Sequence, residues 1–191
     1  MGCATGELTS LLVEGTGDYH VVEGSMRNIE VARTRAPAAV FHHALFEDFE
    51  PPKPFSDILL VCALEHVEDP VDILRRAARW MEPAGRIHIV VPNAESLHRY
   101  VGVSMGMLGT IKDLSESDVR IGHRRVYDVG ALVADVRDAG LETLHWQGIF
   151  LKIVSNRQML GWDPALITAL DDVATRFPAN ASELYALATS P

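Results

Sequence analysis

The feature that most constrains this chain is an alternation of short apolar runs with amphipathic segments. Residues 19–23, 57–62 and 86–92 are rich in Val, Ile and Leu and are bounded by Gly, Pro or Asp. Continuous β-branched runs of this length are expected as strands buried on both faces of a parallel sheet. Between them lie segments of helical period at 6–14, 25–35, 70–81 and 129–139. Asp69-Pro70 supplies a side-chain cap followed by proline at the first helical position, and Asp128 and Gly140 bracket the last segment. Strands alternating with helices imply βαβ units with right-handed crossovers, hence an α/β fold. The rhythm breaks over 93–127, where no strand is evident, and segments of that length outside the repeat are usually functional. Residues 142–147 read as a further strand, and a helix starts near Asp163-Pro164. Residues 183–188 read either as a last strand or as the end of a C-terminal helix, because Asn180 and Glu183 fit a capping box.

With 191 residues the chain fits one domain. Its net charge of -9 and pI near 5.3 argue against nucleic acid as a partner, since phosphate backbones are held by cationic surfaces. The longest apolar run, 58–64, is too short to span a bilayer, and no targeting segment follows Met1, so a cytoplasmic protein is expected. Two cysteines cannot make a disulfide framework, and the eight histidines show no metal-ligand spacing, so no metal is expected.

Chemistry enters at the start of the chain. Gly2-Cys3-Ala4-Thr5-Gly6 is a small-residue turn running into a helix, which lets backbone N–H groups approach a ligand closely. Seventeen residues beyond Gly6, Glu23 ends an apolar strand, where a carboxylate can accept hydrogen bonds from ribose hydroxyls. The two together suggest a nucleoside-containing cofactor; the plainer alternative is a glycine turn and a solvated Glu.

The stretch from Phe55 through Asp57 to Leu64-Glu65-His66-Val67 and Pro70 resembles the fourth-strand motif of class I S-adenosylmethionine-dependent methyltransferases. Gly2 to Gly6 is similar to their glycine motif, Val22-Glu23-Gly24 to their acidic motif, and Met81-Glu-Pro-Ala-Gly85 with the following strand to their proline-glycine turn and fifth strand. The resemblance covers residues 2–93. It implies a Rossmann-like three-layer sandwich with a mostly parallel sheet, one domain over 1–191, and substrate-binding or lid insertions at 93–127 and 148–181. It further implies S-adenosylmethionine as cofactor and S-adenosylhomocysteine as product. Gly2, Ala4 and Gly6 would line the methionine end, Glu23 the ribose, Leu45 and Phe46 the adenine edge, and Cys62 and Ala63 the transferred methyl. Ala4 replaces the usual middle glycine. Family members also carry a first strand before the glycine motif, in the middle of the sheet, and here that strand is apparently missing. Its absence would leave two strand edges unpaired. The expectation is a longer natural protein in which Met1 is internal, or a truncated chain that has lost cofactor binding or borrows a strand.

For acid-base work the candidates are His66, just after the fourth strand, and His123. His66 could equally be a helix-start histidine bonded to backbone. Around His123, Arg124, Arg125 and Tyr127, with His98 nearby in sequence, suit a substrate carboxylate or phosphate; the alternative is a solvated turn paired with Glu116 and Asp118. The expected activity is methyl transfer to an oxygen or nitrogen of a small-molecule acceptor, by a protein without membrane or nucleic-acid partners and compatible with a homodimer. Two alternatives stand beside it: a degenerate adenosyl-binding relative without activity, and a dinucleotide-dependent oxidoreductase.

Overall fold

A computed structural model describes all 191 residues. The elements run α1 (Glu7–Val13), β1 (His20–Glu23), α2 (Met26–Arg35), β2 (Val40–His43), β3 (Phe55–Val61), α3 (Pro70–Arg79), β4 (Met81–Pro92), α4 (Leu97–Ser104), α5 (Glu116–Ile121), α6 (Val129–Asp138), β5 (Glu142–Ile149), α7 (Pro164–Ala174) and β6 (Glu183–Thr189). Strand β2 adds to the expected set, and 183–189 is a strand rather than a helix extension. The 93–127 segment holds two short helices. The caps act as the sequence suggests: the Asp69 side chain accepts from the Asp72 N–H and the Asp128 side chain from the Ala131 N–H.

Strands β1 and β2 pair in parallel, and a second sheet has the order β3-β4-β6-β5. In it β3 and β4 are parallel, while β6 runs antiparallel to both its neighbours. Alternate residues of this sheet, Ile58 and Leu60, Ile87, Ile89 and Val91, and Leu184, Ala186 and Ala188, are buried. They meet Ile73, Leu74 and Ala77 of α3 and Leu132 and Val136 of α6 in one continuous core. Each large side chain so buried contributes about 1.5–3 kcal/mol before chain entropy is counted. The result is the expected Rossmann-like arrangement of helix layers about a largely parallel sheet.

Between β1 and β3 the sheet is interrupted. The expected unpaired edges are both present, and Met1 and Gly2 bridge them at one end: the Met1 amino group donates to the Leu59 carbonyl and the Gly2 N–H to the Val22 carbonyl at 2.8 Å. Behind this bridge lies a cavity of about 420 Å³ lined by Tyr19, His20, Phe55, Ile58 and Leu59 among others.

Candidate active site

A second cavity, about 740 Å³, opens where the C-terminal ends of β1 and β3 meet the glycine turn. That volume suits a small molecule or cofactor. Gly6 is the N-cap of α1 with φ 87°, and a Cβ placed there would lie 2.8 Å from both Cα and Cβ of Ala32. The glycine thus lets α1 and α2 approach, and with them the turn that ends at α1. Ala4 has φ 44° and Cys62 φ 48°, two non-glycine residues in the left-handed region facing the same cavity.

Glu23 organises the turn. Its Oε2 accepts the Cys3 N–H at 3.0 Å and its Oε1 the Ser25 N–H at 2.9 Å. A carboxylate has roughly four acceptor positions, so each oxygen keeps capacity for a ribose hydroxyl. Because Glu23 also lines the cavity, the residues present fit an adenosyl cofactor. Burial, with Glu23 beside it, raises the Cys3 thiol to a pKa of about 11, and burial together with Glu183 keeps the Cys62 thiol protonated as well. Neither is a nucleophile at neutral pH. Gly2, Ala4, Phe46, Cys62 and Ala63 line the cavity; Gly6 does not, being taken up in the helix contact, and Leu45 lies outside it, exposed, over Gly24.

At the end of β3 three polar side chains gather. Glu65 is fully buried, and neither carboxylate oxygen has a hydrogen-bond donor. Burial lifts its pKa to about 7, with Glu183 adding to the effect. The His123 Nε2 lies 3.9 Å from Glu65 Oε1, and the His66 and His123 rings meet edge to face at 4.8 Å between centroids. All three residues line the cavity. Burial lowers the His123 pKa, and His66 beside it does so further.

The segment that delivers His123 is built for the purpose. Helix α5 opens with a reciprocal capping box between Ser115 and Asp118 and ends at Gly122, whose φ of 84° turns the chain sharply. Asp118 Oδ2 accepts from the Ser115 N–H and Oγ and from the Arg99 guanidinium at 3.2 Å, which leaves Oδ1 for the His123 Nδ1 at 3.1 Å. Asp118 stays below the usual carboxylate range because these hydrogen bonds outweigh its burial. The Gly122 carbonyl, which can only accept, faces the His66 Nδ1 at 3.3 Å. Both imidazoles therefore carry a proton on Nδ1.

The remaining candidates have other work. Arg125 donates to the carbonyls of Leu64, Val67 and Glu68, clamping the loop after β3. Tyr127 is buried with its hydroxyl donating to Asp135 Oδ2 at 3.0 Å. Arg124 is exposed, and its N–H donates to the Glu65 carbonyl. His98 has a buried Nδ1 without a partner, and burial next to Lys152 brings its pKa down to about 4. None of these four lines the cavity, and no Lys or Arg does. The expected site for a substrate carboxylate or phosphate is thus not assembled: Arg125 lies near His123 in sequence, but its guanidinium is taken up by backbone carbonyls, and Arg124 contributes its backbone N–H. Residues missed in the sequence are Asp118, Arg99 and Glu183. The Ser115–Asp118 capping box was the available signal for the first; Glu183, on the antiparallel β6, had none.

The family model for the methyltransferase domain matches residues 1–146. The chain belongs to the class I S-adenosylmethionine-dependent methyltransferases. It is a methyltransferase, then, with S-adenosylmethionine as cofactor, and the oxidoreductase alternative ends here. Among solved structures, an S-adenosylmethionine-dependent methyltransferase from Mesorhizobium loti superposes with a TM-score of 0.67 at 16% identity, over 98% of this chain and 87% of the other. The N-methyltransferase NodS from Bradyrhizobium japonicum, in complex with S-adenosyl-L-homocysteine, gives 0.64 at 14% identity over 100% and 75%. The CcbJ methyltransferase from Streptomyces caelestis gives 0.67 at 15% identity over 100% and 86%. At these identities the likeness is one of fold. No curated protein matches in sequence. No helix is long and apolar enough to cross a membrane.

Proposed function

We propose that this methyltransferase acts on an oxygen or nitrogen of a small-molecule acceptor seated against Glu65, His66 and His123. S-adenosylmethionine supplies a methyl group on a sulfonium, so the C–S bond breaks with its electron pair passing to sulfur as the bond to the acceptor forms. The protein's part is to hold, align and desolvate the two reactants and to draw off the acceptor's proton. In this reading Glu23 holds the ribose, the turn from Gly2 to Gly6 the methionine end, and Cys62 and Ala63 flank the methyl. The acceptor's proton is drawn off at the cluster of Glu65, His66 and His123, within a domain whose 93–127 segment covers the acceptor side.

The observation that carries the reading is the fixed orientation of His123, whose Nδ1 is held by Asp118 and which lines a cavity also lined by Glu23. A histidine kept for packing alone has no use for an aspartate that is itself anchored by Ser115 and Arg99. The test is a screen of small alcohols and amines for a gain of one methyl by mass. With any acceptor so found, His123→Ala should lower kcat by roughly 10²–10⁴-fold while the affinity for S-adenosylhomocysteine stays within about threefold. Equal losses in cofactor affinity and turnover would remove His123 from the chemistry.

A further inference from the structure

We propose that Glu65, His66 and His123 bind one divalent transition-metal ion of the zinc class. It concerns the cluster of the methyl-transfer reading and gives these residues the role of ligands in place of proton acceptors, while the binding test needs no methyl acceptor. Their ligand atoms, one from each residue, all lie within 4.8 Å of one another. A tetrahedral divalent ion bonding nitrogen and oxygen at about 2.1 Å holds its ligands about 3.4 Å apart, so closing the trio takes movements of up to about 1.4 Å, within reach of side-chain rotation. The His123 Nε2 and Glu65 Oε1, at 3.9 Å, are already close to that distance.

Three features separate this trio from an ordinary polar cluster. First, both oxygens of Glu65 are buried and receive no hydrogen bond, an arrangement that costs free energy unless something outside the chain's own donors completes it. Second, both histidines have Nδ1 engaged, one by a carboxylate and one by a carbonyl, which is how metal-bound imidazoles are oriented with Nε2 toward the ion. Third, the orienting carboxylate of Asp118 is itself fixed by Ser115 and Arg99. Two imidazoles and one carboxylate select zinc and its first-row neighbours over calcium or magnesium, and three protein ligands leave positions open to the cavity. An ion there would withdraw electron density from an acceptor heteroatom and make it more acidic, so that its proton leaves to solvent. His66 and His123 would then work as ligands. Spacing conceals the trio, because Glu65 and His66 are adjacent while His123 lies 57 residues beyond His66.

The test is equilibrium dialysis of the chelator-stripped full chain against Zn²⁺, together with the visible absorption of the Co²⁺ form. The expected result is one ion per chain and a Co²⁺ spectrum of nitrogen and oxygen ligation without a thiolate band, which excludes Cys3 and Cys62 as the holders. Glu65→Gln and His123→Ala should abolish binding, and Asp118→Asn should weaken it roughly 10–100-fold. S-adenosylhomocysteine affinity serves as the control that each variant is folded. Absence of a stoichiometric ion on the wild-type chain, or binding unchanged by Glu65→Gln and His123→Ala, overturns the proposal, and either result leaves the methyl-transfer reading to its own test.

Discussion

Gly6→Ala tests the packing on which the cofactor turn rests. The substitution asks an L-residue to hold φ 87° and places its Cβ 2.8 Å from the Cα and Cβ of Ala32, which is fully buried. The left-handed backbone alone costs about 1–2 kcal/mol. Overpacking against a helix backbone adds about 1–3 kcal/mol, because Ala32 Cα cannot move without the rest of α2. The sum is about 2–5 kcal/mol, a Tm lower by roughly 4–20 °C in a domain of this size. Urea denaturation followed by circular dichroism measures it. Ala32→Gly removes one of the two opposing atoms, so the double variant should be more stable than the sum of the single losses by about 1 kcal/mol, while the backbone cost persists. A Gly6→Ala change within about 0.5 kcal/mol of wild type would refute the claim that the turn is held by close helix approach.

Other consequences follow from the buried polar groups. The pKa of His98, lowered from 6.5 to about 4 by burial beside Lys152, means that the unfolded chain binds a proton here more readily than the folded one. Stability is therefore complete above about pH 6.5 and falls as pH drops toward 4, by at most about 3 kcal/mol from this group; His98→Phe should flatten that part of a stability-against-pH curve, and an unchanged curve would contradict the assignment. Arg125→Ala leaves the carbonyls of Leu64, Val67 and Glu68 without their donor and should cost about 2–3 kcal/mol in chemical denaturation, whereas a surface arginine would cost almost nothing. Arg99→Ala should loosen Asp118 and thus His123, reducing kcat with a smaller effect on S-adenosylhomocysteine affinity, as measured by parallel kinetics and calorimetry.

What the sequence reveals and what it conceals divide along physical lines. Strands β1, β3 and β4 and helices α2, α3 and α6 are legible because hydrophobic period and caps are local properties, as with Asp69-Pro70 ahead of α3. Strand β2 is not: Val40–His43 is four residues long, partly exposed and half histidine, so it lacks the apolar contrast of a buried strand. The start of β4 at Met81 rather than near residue 86 is hidden by Pro83 and Gly85, which read as a turn. Strand β6 is ambiguous in sequence because Leu, Tyr and Ala at 184–188 satisfy a helix as well as a strand, and only pairing with β4 and β5 decides it. In the site, the glycine turn and Glu23 are near neighbours in a motif, whereas His66, His123 and Asp118 converge through tertiary folding. Arg125 and Tyr127 mislead for a related reason. Their side chains have the chemistry of anion recognition, but carbonyls and a carboxylate of this chain take up their hydrogen bonds first.

The central claim is that the cavity beside Glu23 holds the adenosyl cofactor, and calorimetric titration of S-adenosylhomocysteine into the 191-residue chain tests it most directly. Saturable binding at one site is expected, weakened by at least about tenfold in Glu23→Ala, since a hydrogen bond to a charged group is worth about 1.5–3 kcal/mol. Saturating ligand at about 100 times its Kd should also raise stability by about 2.7 kcal/mol. No saturable heat, or equal affinity in the Glu23 variant, would contradict the placement of the cofactor.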